Sequence, residues 1–91
     1  MFLIKSGPTN TFYQYQCNNI PQVKNYINEV TRTNSTTADW KELCEDAKNN
    51  TGEQSVDYIF FDENGVEYDC LVFVEFDATN RTYLVWVEYD D

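Results

Sequence analysis

The chain contains no histidine, which excludes triads that need an imidazole to take a proton from serine or cysteine, and histidine acid–base catalysis with them. Glycine is scarce: Gly7, Gly52 and Gly65 form neither a P-loop nor a dinucleotide-binding pattern, so no loop is built to cradle a phosphate. Bases are few, 6 against 16 acids, which opposes direct nucleic-acid binding because affinity for a phosphate backbone rests on Lys and Arg contacts. Long hydrophobic runs are missing too. The longest, around 71–74 and 83–87, are bounded by acids and fall far short of a bilayer span. The first residues run from Phe2-Leu3-Ile4-Lys5 at once into Ser6-Gly7-Pro8 without a basic leader, so no signal peptide is expected. The expected location is cytoplasmic, inside a bacterial host cell if the gene is phage-borne.

Cysteine is limited to Cys17, Cys44 and Cys70. An odd number of widely spaced cysteines argues against a disulfide framework and against paired zinc ligands, so reduced, packed thiols are expected. No metal and no cofactor are expected. Three Asn-x-Thr/Ser glycosylation patterns, at Asn34, Asn49 and Asn80, read as chance matches in a chain rich in Asn and Thr.

What is present is a chain of 91 residues, 42% hydrophobic and 16% aromatic, too apolar to be disordered despite a net charge of −10. A chain of this size has interior enough for one hydrophobic core, so residues 1–91 are expected to form a single acidic domain. The charge is uneven. Residues 1–52 balance Glu29, Asp39, Glu42, Glu45 and Asp46 against Lys5, Lys24, Arg32, Lys41 and Lys48. Residues 53–91 set the remaining acids against Arg81 alone, so the whole net charge lies there.

The pattern along the chain predicts an α+β fold: an antiparallel sheet of about five strands in the order ββααβββ, with two helices on one face. Phe2–Lys5 and Thr11–Cys17 read as a hairpin around Gly7-Pro8-Thr9-Asn10. Ile20, Val23, Tyr26, Ile27 and Val30 recur at helical spacing, with an end expected at 31–34. A second helix is signalled by Thr36 or Thr37 as N-cap, Asp39 in the first turn, and Trp40, Leu43, Cys44 and Ala47 on one face. Three strands follow over 56–61, 66–76 and 82–89, joined by Glu63-Asn64-Gly65 and Ala78-Thr79-Asn80. The segment 62–67 superficially resembles a calcium loop, but its spacing does not fit the twelve-residue pattern and a hairpin turn explains it better.

If Asp77 opposes Thr82, then Phe76/Tyr83, Val74/Val85, Val72/Val87 and Cys70/Tyr89 share one apolar face, which must be the core. The opposite face then carries Asp69/Asp90, Leu71/Glu88, Phe73/Trp86 and Glu75/Leu84, with Glu67 and Asp77 at its edges. An aromatic pair thus sits within a ring of carboxylates, and directly opposed like charges such as Asp69 and Asp90 weaken a sheet until a cation relieves them. Two explanations compete. Either the N-terminal hairpin covers Leu71, Phe73, Leu84 and Trp86 as a second core layer, with the acids as a solubilising rim, or this face is an interface with an aromatic centre.

An enzyme is not expected: Asp69 and Glu88 could form an acid–base pair of glycosidase type, but a chain this small offers little cleft to desolvate them. The expected function is binding to a basic protein surface, a nucleic-acid enzyme or complex, by presenting carboxylates where phosphates would sit. The expected partner-binding residues are Glu67, Asp69, Phe73, Glu75, Asp77, Trp86, Glu88 and Asp90. Phage anti-restriction and anti-CRISPR proteins and bacterial immunity proteins share this size and charge, a similarity of class without a shared motif. The alternative is an acidic regulatory or assembly subunit that pairs with a protein partner, or with itself as a homodimer, through the aromatic patch.

Overall fold

The computed structural model describes residues 3–6, 9–12, 14–50 and 52–90, with side chains described for 14–50 and 52–89. The chain folds as α+β, with two helices packed on one face of an antiparallel sheet. Four strands carry described side chains, β3 (Tyr15–Cys17), β4 (Gln54–Phe61), β5 (Glu67–Asp77) and β6 (Thr82–Asp90), and with the helices α1 (Ile20–Thr31) and α2 (Thr37–Asn49) they run βααβββ. Two short backbone strands, β1 (Leu3–Ser6) and β2 (Thr9–Phe12), precede them. The path across the sheet is β1-β2-β6-β5-β4, with β3 also on β6.

The expected second strand over 11–17 is therefore corrected. It is two pieces, because β6 changes partner along its length: β2 pairs with it at Thr9↔Asp90 to Thr11↔Glu88, and β3 at Tyr15↔Val85 to Cys17↔Tyr83. Thr9 and Asn10, expected in a turn, are paired strand residues. The hairpin does not form a second layer either; β1 and β2 extend the sheet beyond β6.

Both helices start where local chemistry allows. The Asn19 side chain accepts the Gln22 amide at 3.0 Å, capping α1, and Pro21 sits in the first turn, where its missing N–H costs nothing. The helix ends on Arg32 in a left-handed conformation (φ 58°) whose N–H bonds back to the Asn28 carbonyl. At α2 the Asp39 carboxylate accepts the Thr36 amide at 2.8 Å. Val23, Tyr26, Ile27 and Val30 of α1 and Trp40, Leu43, Cys44 and Ala47 of α2 are buried against Cys70, Val72, Val74, Val85 and Val87 of the sheet. The sequence register of β5 and β6 holds from Leu71↔Glu88 to Asp77↔Thr82, and α1 packs on β6 while α2 packs on β5.

The β4–β5 and β5–β6 turns are each opened by an aspartate. Asp62 accepts the amides of Asn64 (2.8 Å) and Val66 (2.9 Å), and Gly65 takes the positive φ (81°) that the turn requires. Asp77 accepts the amides of Thr79 (3.0 Å) and Asn80 (3.3 Å) and the Asn80 side-chain amide at 2.8 Å.

Candidate functional site

The face of the sheet turned away from the helices is built from alternate residues of β4, β5 and β6. Its rows follow from the registers: Phe61/Glu67, Ile59/Asp69, Asp57/Leu71/Glu88, Ser55/Phe73/Trp86, Glu75/Leu84 and Asp77/Thr82. Strands β3 to β6 contain no lysine or arginine, so their carboxylates have no cationic cross-strand neighbour. The face keeps the negative charge that the sequence distribution implied.

Its centre is not where the sequence pattern put it. Trp86 is only 6% exposed, stacked on Phe73 with ring centroids 5.2 Å apart and planes 4° from parallel. Its indole N–H donates to the Glu88 carboxylate at 2.9 Å. Trp86 lies where β6 exchanges β2 for β3. Strand alternation assigns a residue to a face but does not say how much of that face stays open. Phe73 is half-buried. The exposed apolar residue is Leu71, at 38%. Asp57 and Glu88 flank it directly across β4 and β6, where opposed Cβ atoms stand about 5 Å apart, and Asp69 lies two residues along its own strand, about 7 Å away. A solvent-facing leucine is thus held inside three carboxylates.

The remaining expected residues divide by what else they do. Glu67 and Asp69 are exposed and Glu75 is half-buried. Asp77 and Glu88 are engaged in the fold, the first in the β5–β6 turn and the second on the Trp86 indole. The Asn80 side-chain amide, with the Asn80 and Thr79 backbone amides, holds the Asp77 carboxyl below its usual range. The Asp90 side chain, and with it the expected Asp69/Asp90 pair, lies outside the described residues; the backbone of Asp90 pairs with Thr9. Asp57 is the residue that sequence reasoning missed. Its signal was the alternation Ser55, Asp57, Ile59, Phe61, read in phase with β5 through the Asn64-Gly65 turn.

No family model, no curated protein and no solved structure matches the chain, so the site stands on its own geometry. Among the described residues no group of three or more His, Cys, Asp or Glu side chains is placed to hold a metal ion, and no helix is long and apolar enough to cross a membrane. Cys17, Cys44 and Cys70 are free and buried. Burial pushes the Cys17 thiol up to about 11 and those of Cys44 and Cys70 up to about 12, the opposite of what a nucleophilic cysteine requires.

Concavities lie away from Leu71. One, of about 960 Å3, runs between β3 and α1 beside the parallel stack of Tyr15 on Tyr26 (5.1 Å) and is otherwise lined mainly by amide side chains. Burial pushes the Tyr26 phenol up to about 12, so it is no base at neutral pH. The other, of about 590 Å3, lies at the end of β4 under the α1–α2 loop.

Proposed function

We propose that the protein is a binding module whose open sheet face docks on a basic protein surface and occupies the place of nucleic-acid phosphates there, so that it inhibits a nucleic-acid-binding enzyme or complex. The observation that carries this reading is the ring of Asp57, Asp69 and Glu88 around exposed Leu71, on a face whose strands bear no cation. A one-signed patch steers association toward an oppositely charged cleft, and a small apolar centre adds contact that survives screening. The burial of Trp86 moves the anchor from the Phe73/Trp86 pair to Leu71. The chemistry of the site is recognition: its carboxylates lie on an exposed face and its thiols are buried. Anti-defence or immunity proteins, of the kind that block nucleases, are the class this reading fits.

A basic enzyme captured on the immobilised protein should be released by duplex DNA competing for the same cleft. Its retention should fall steeply between low and high salt, and an Asp57→Asn, Glu67→Gln, Asp69→Asn variant should fail to capture it. Capture that DNA does not displace and that persists in the neutralised variant would overturn the reading in favour of an assembly role.

A further inference from the structure

Strand β4 closes one side of the sheet, and among the described residues it pairs with β5 alone. Natural edges are usually guarded by charged side chains, above all lysine, by proline, a bulge, short length or a covering loop. This one has a single aspartate and, beside its far half, the α1–α2 loop, but no lysine, proline, bulge or short length. It is eight residues long (Gln-Ser-Val-Asp-Tyr-Ile-Phe-Phe), contains neither lysine nor proline, and its register with β5 advances residue for residue from Gln54↔Val74 to Phe61↔Glu67 without a bulge. Val56, on its helix-side face, is 36% exposed. Asp57 is its only charge.

A second observation lies at the far half of the same edge. The recess of about 590 Å3 is lined by Tyr58 from one face of β4 and by Ile59 and Phe61 from the other, so it wraps the edge, and the α1–α2 loop forms its roof. That roof is held in place. The Tyr58 hydroxyl donates to Thr33 Oγ1 at 2.9 Å, the Trp40 indole donates to Ser35 Oγ at 2.7 Å and its ring stands edge-on to Tyr58, and Asn28 accepts the Ser35 amide at 2.8 Å while its own amide donates to the Ser35 carbonyl at 3.0 Å. The loop beside the edge is thus fixed by its own hydrogen bonds.

We infer that the β4 edge receives an extended segment of the partner as an added strand, with the partner's alternate lysine or arginine side chains falling on the acidic face beside Asp57 and its intervening apolar side chains beside Val56 and in the recess. Main-chain hydrogen bonds supply affinity in this mode and alternate side chains supply selectivity. The charge decides between occupants. A second copy, itself carrying −10, would bring Asp57 toward Asp57 along with the acids of 53 and 62–63. A basic strand is attracted instead, and Arg32, the one base lining the recess, is accompanied there by Asp39. The inference rests on the proposed basic partner but adds a route of docking that the acidic face alone does not require.

The test uses a blocked octapeptide of alternating lysine and valine, and the same peptide with alternate backbone amides N-methylated, which keeps every charge and side chain but cannot form a ladder. Titrated into the 15N-labelled protein at low salt, the unmethylated peptide should bind at least about tenfold more tightly, shift the amide resonances of 54–61, and protect alternate β4 amides from hydrogen exchange. Val56→Lys, an exposed edge change, should weaken it while leaving the spectrum otherwise folded. Equal binding of the two peptides, lost on neutralising Asp57, Glu67 and Asp69, would overturn edge docking and leave the acidic face as the site. Binding of neither peptide would overturn both readings. A dimer of the protein alone that Val56→Lys dissolves would assign the edge to a second copy.

Discussion

The two faces of one sheet are made from alternate residues of the same strands, yet they are held by different forces. On the helix side Val72, Val74, Val85 and Val87 are fully buried under α1 and α2, and stability comes from apolar area and close packing. On the open side Asp57, Leu71 and Asp69 face solvent; each carboxylate stands opposite an apolar residue, and the nearest like charges lie diagonally across or two residues along the strands, where they add nothing to stability. The apolar exception is Trp86, an open-face residue buried as deeply as the core, which splits that face into a structural corner and an exposed acidic field.

The largest effect should come from that exception. Trp86→Ala should lower stability by about 3–5 kcal/mol, as core aromatics do, while Leu71→Ala, one row away on the same face, should change it by less than about 1 kcal/mol. Urea denaturation of the two variants measures the split, and equal losses would erase it. Ile27→Ala, on the helix side, should cost about 2–5 kcal/mol by the same method.

Acid sharpens the comparison next. Asp62 is held below the usual carboxylate range by the Val66 amide first and the Asn64 amide as well, and Asp77 by the Asn80 side-chain amide first. A carboxyl depressed in the folded state stabilises above its unfolded value of about 3.9 and loses that contribution as pH falls through the lower folded value. Thermal midpoints should therefore drop as pH is taken below about 4, and Asp77→Asn should flatten that drop. An unchanged slope in Asp77→Asn would mean that the turn carboxylate is not part of the acid response.

The smallest effect belongs to the backbone. Arg81 holds a positive φ (56°) in the β5–β6 turn, a conformation that favours glycine, so Arg81→Gly should raise stability by up to about 1 kcal/mol in the same melts. A loss would show that the Arg81 side chain contributes more than its backbone costs.

How much of this was legible in the sequence follows the length of the local signals. The register of β5 and β6 could be read because Asp77 and Thr82 bracket a short turn and the apolar residues alternate without a break. Both helices were legible from their apolar stripes, and the second also from Thr36 or Thr37 as N-cap and Asp39 in the first turn, whereas the Asn19 cap of α1 was not read. The N-terminal hairpin was legible in its first strand, but the break of the second was not, because two short strands share β6 in succession and no periodicity in 9–17 marks where one hands over to the next. The open face was legible in its charge but not in its centre. Alternation put Phe73 and Trp86 on it correctly, whereas their burial depends on neighbours far along the chain, and Asp57 entered only with the pairing of β4.

The central claim is that Asp57, Glu67 and Asp69, unlike Asp77 and Glu88, are not needed by the fold and are left for the proposed recognition. The melting temperature of the Asp57→Asn, Glu67→Gln, Asp69→Asn variant at low and high salt tests it most directly. The account predicts a midpoint at or above that of the wild type at low salt, with the difference shrinking as salt screens the repulsion; a midpoint several degrees below wild type at both salts would contradict it.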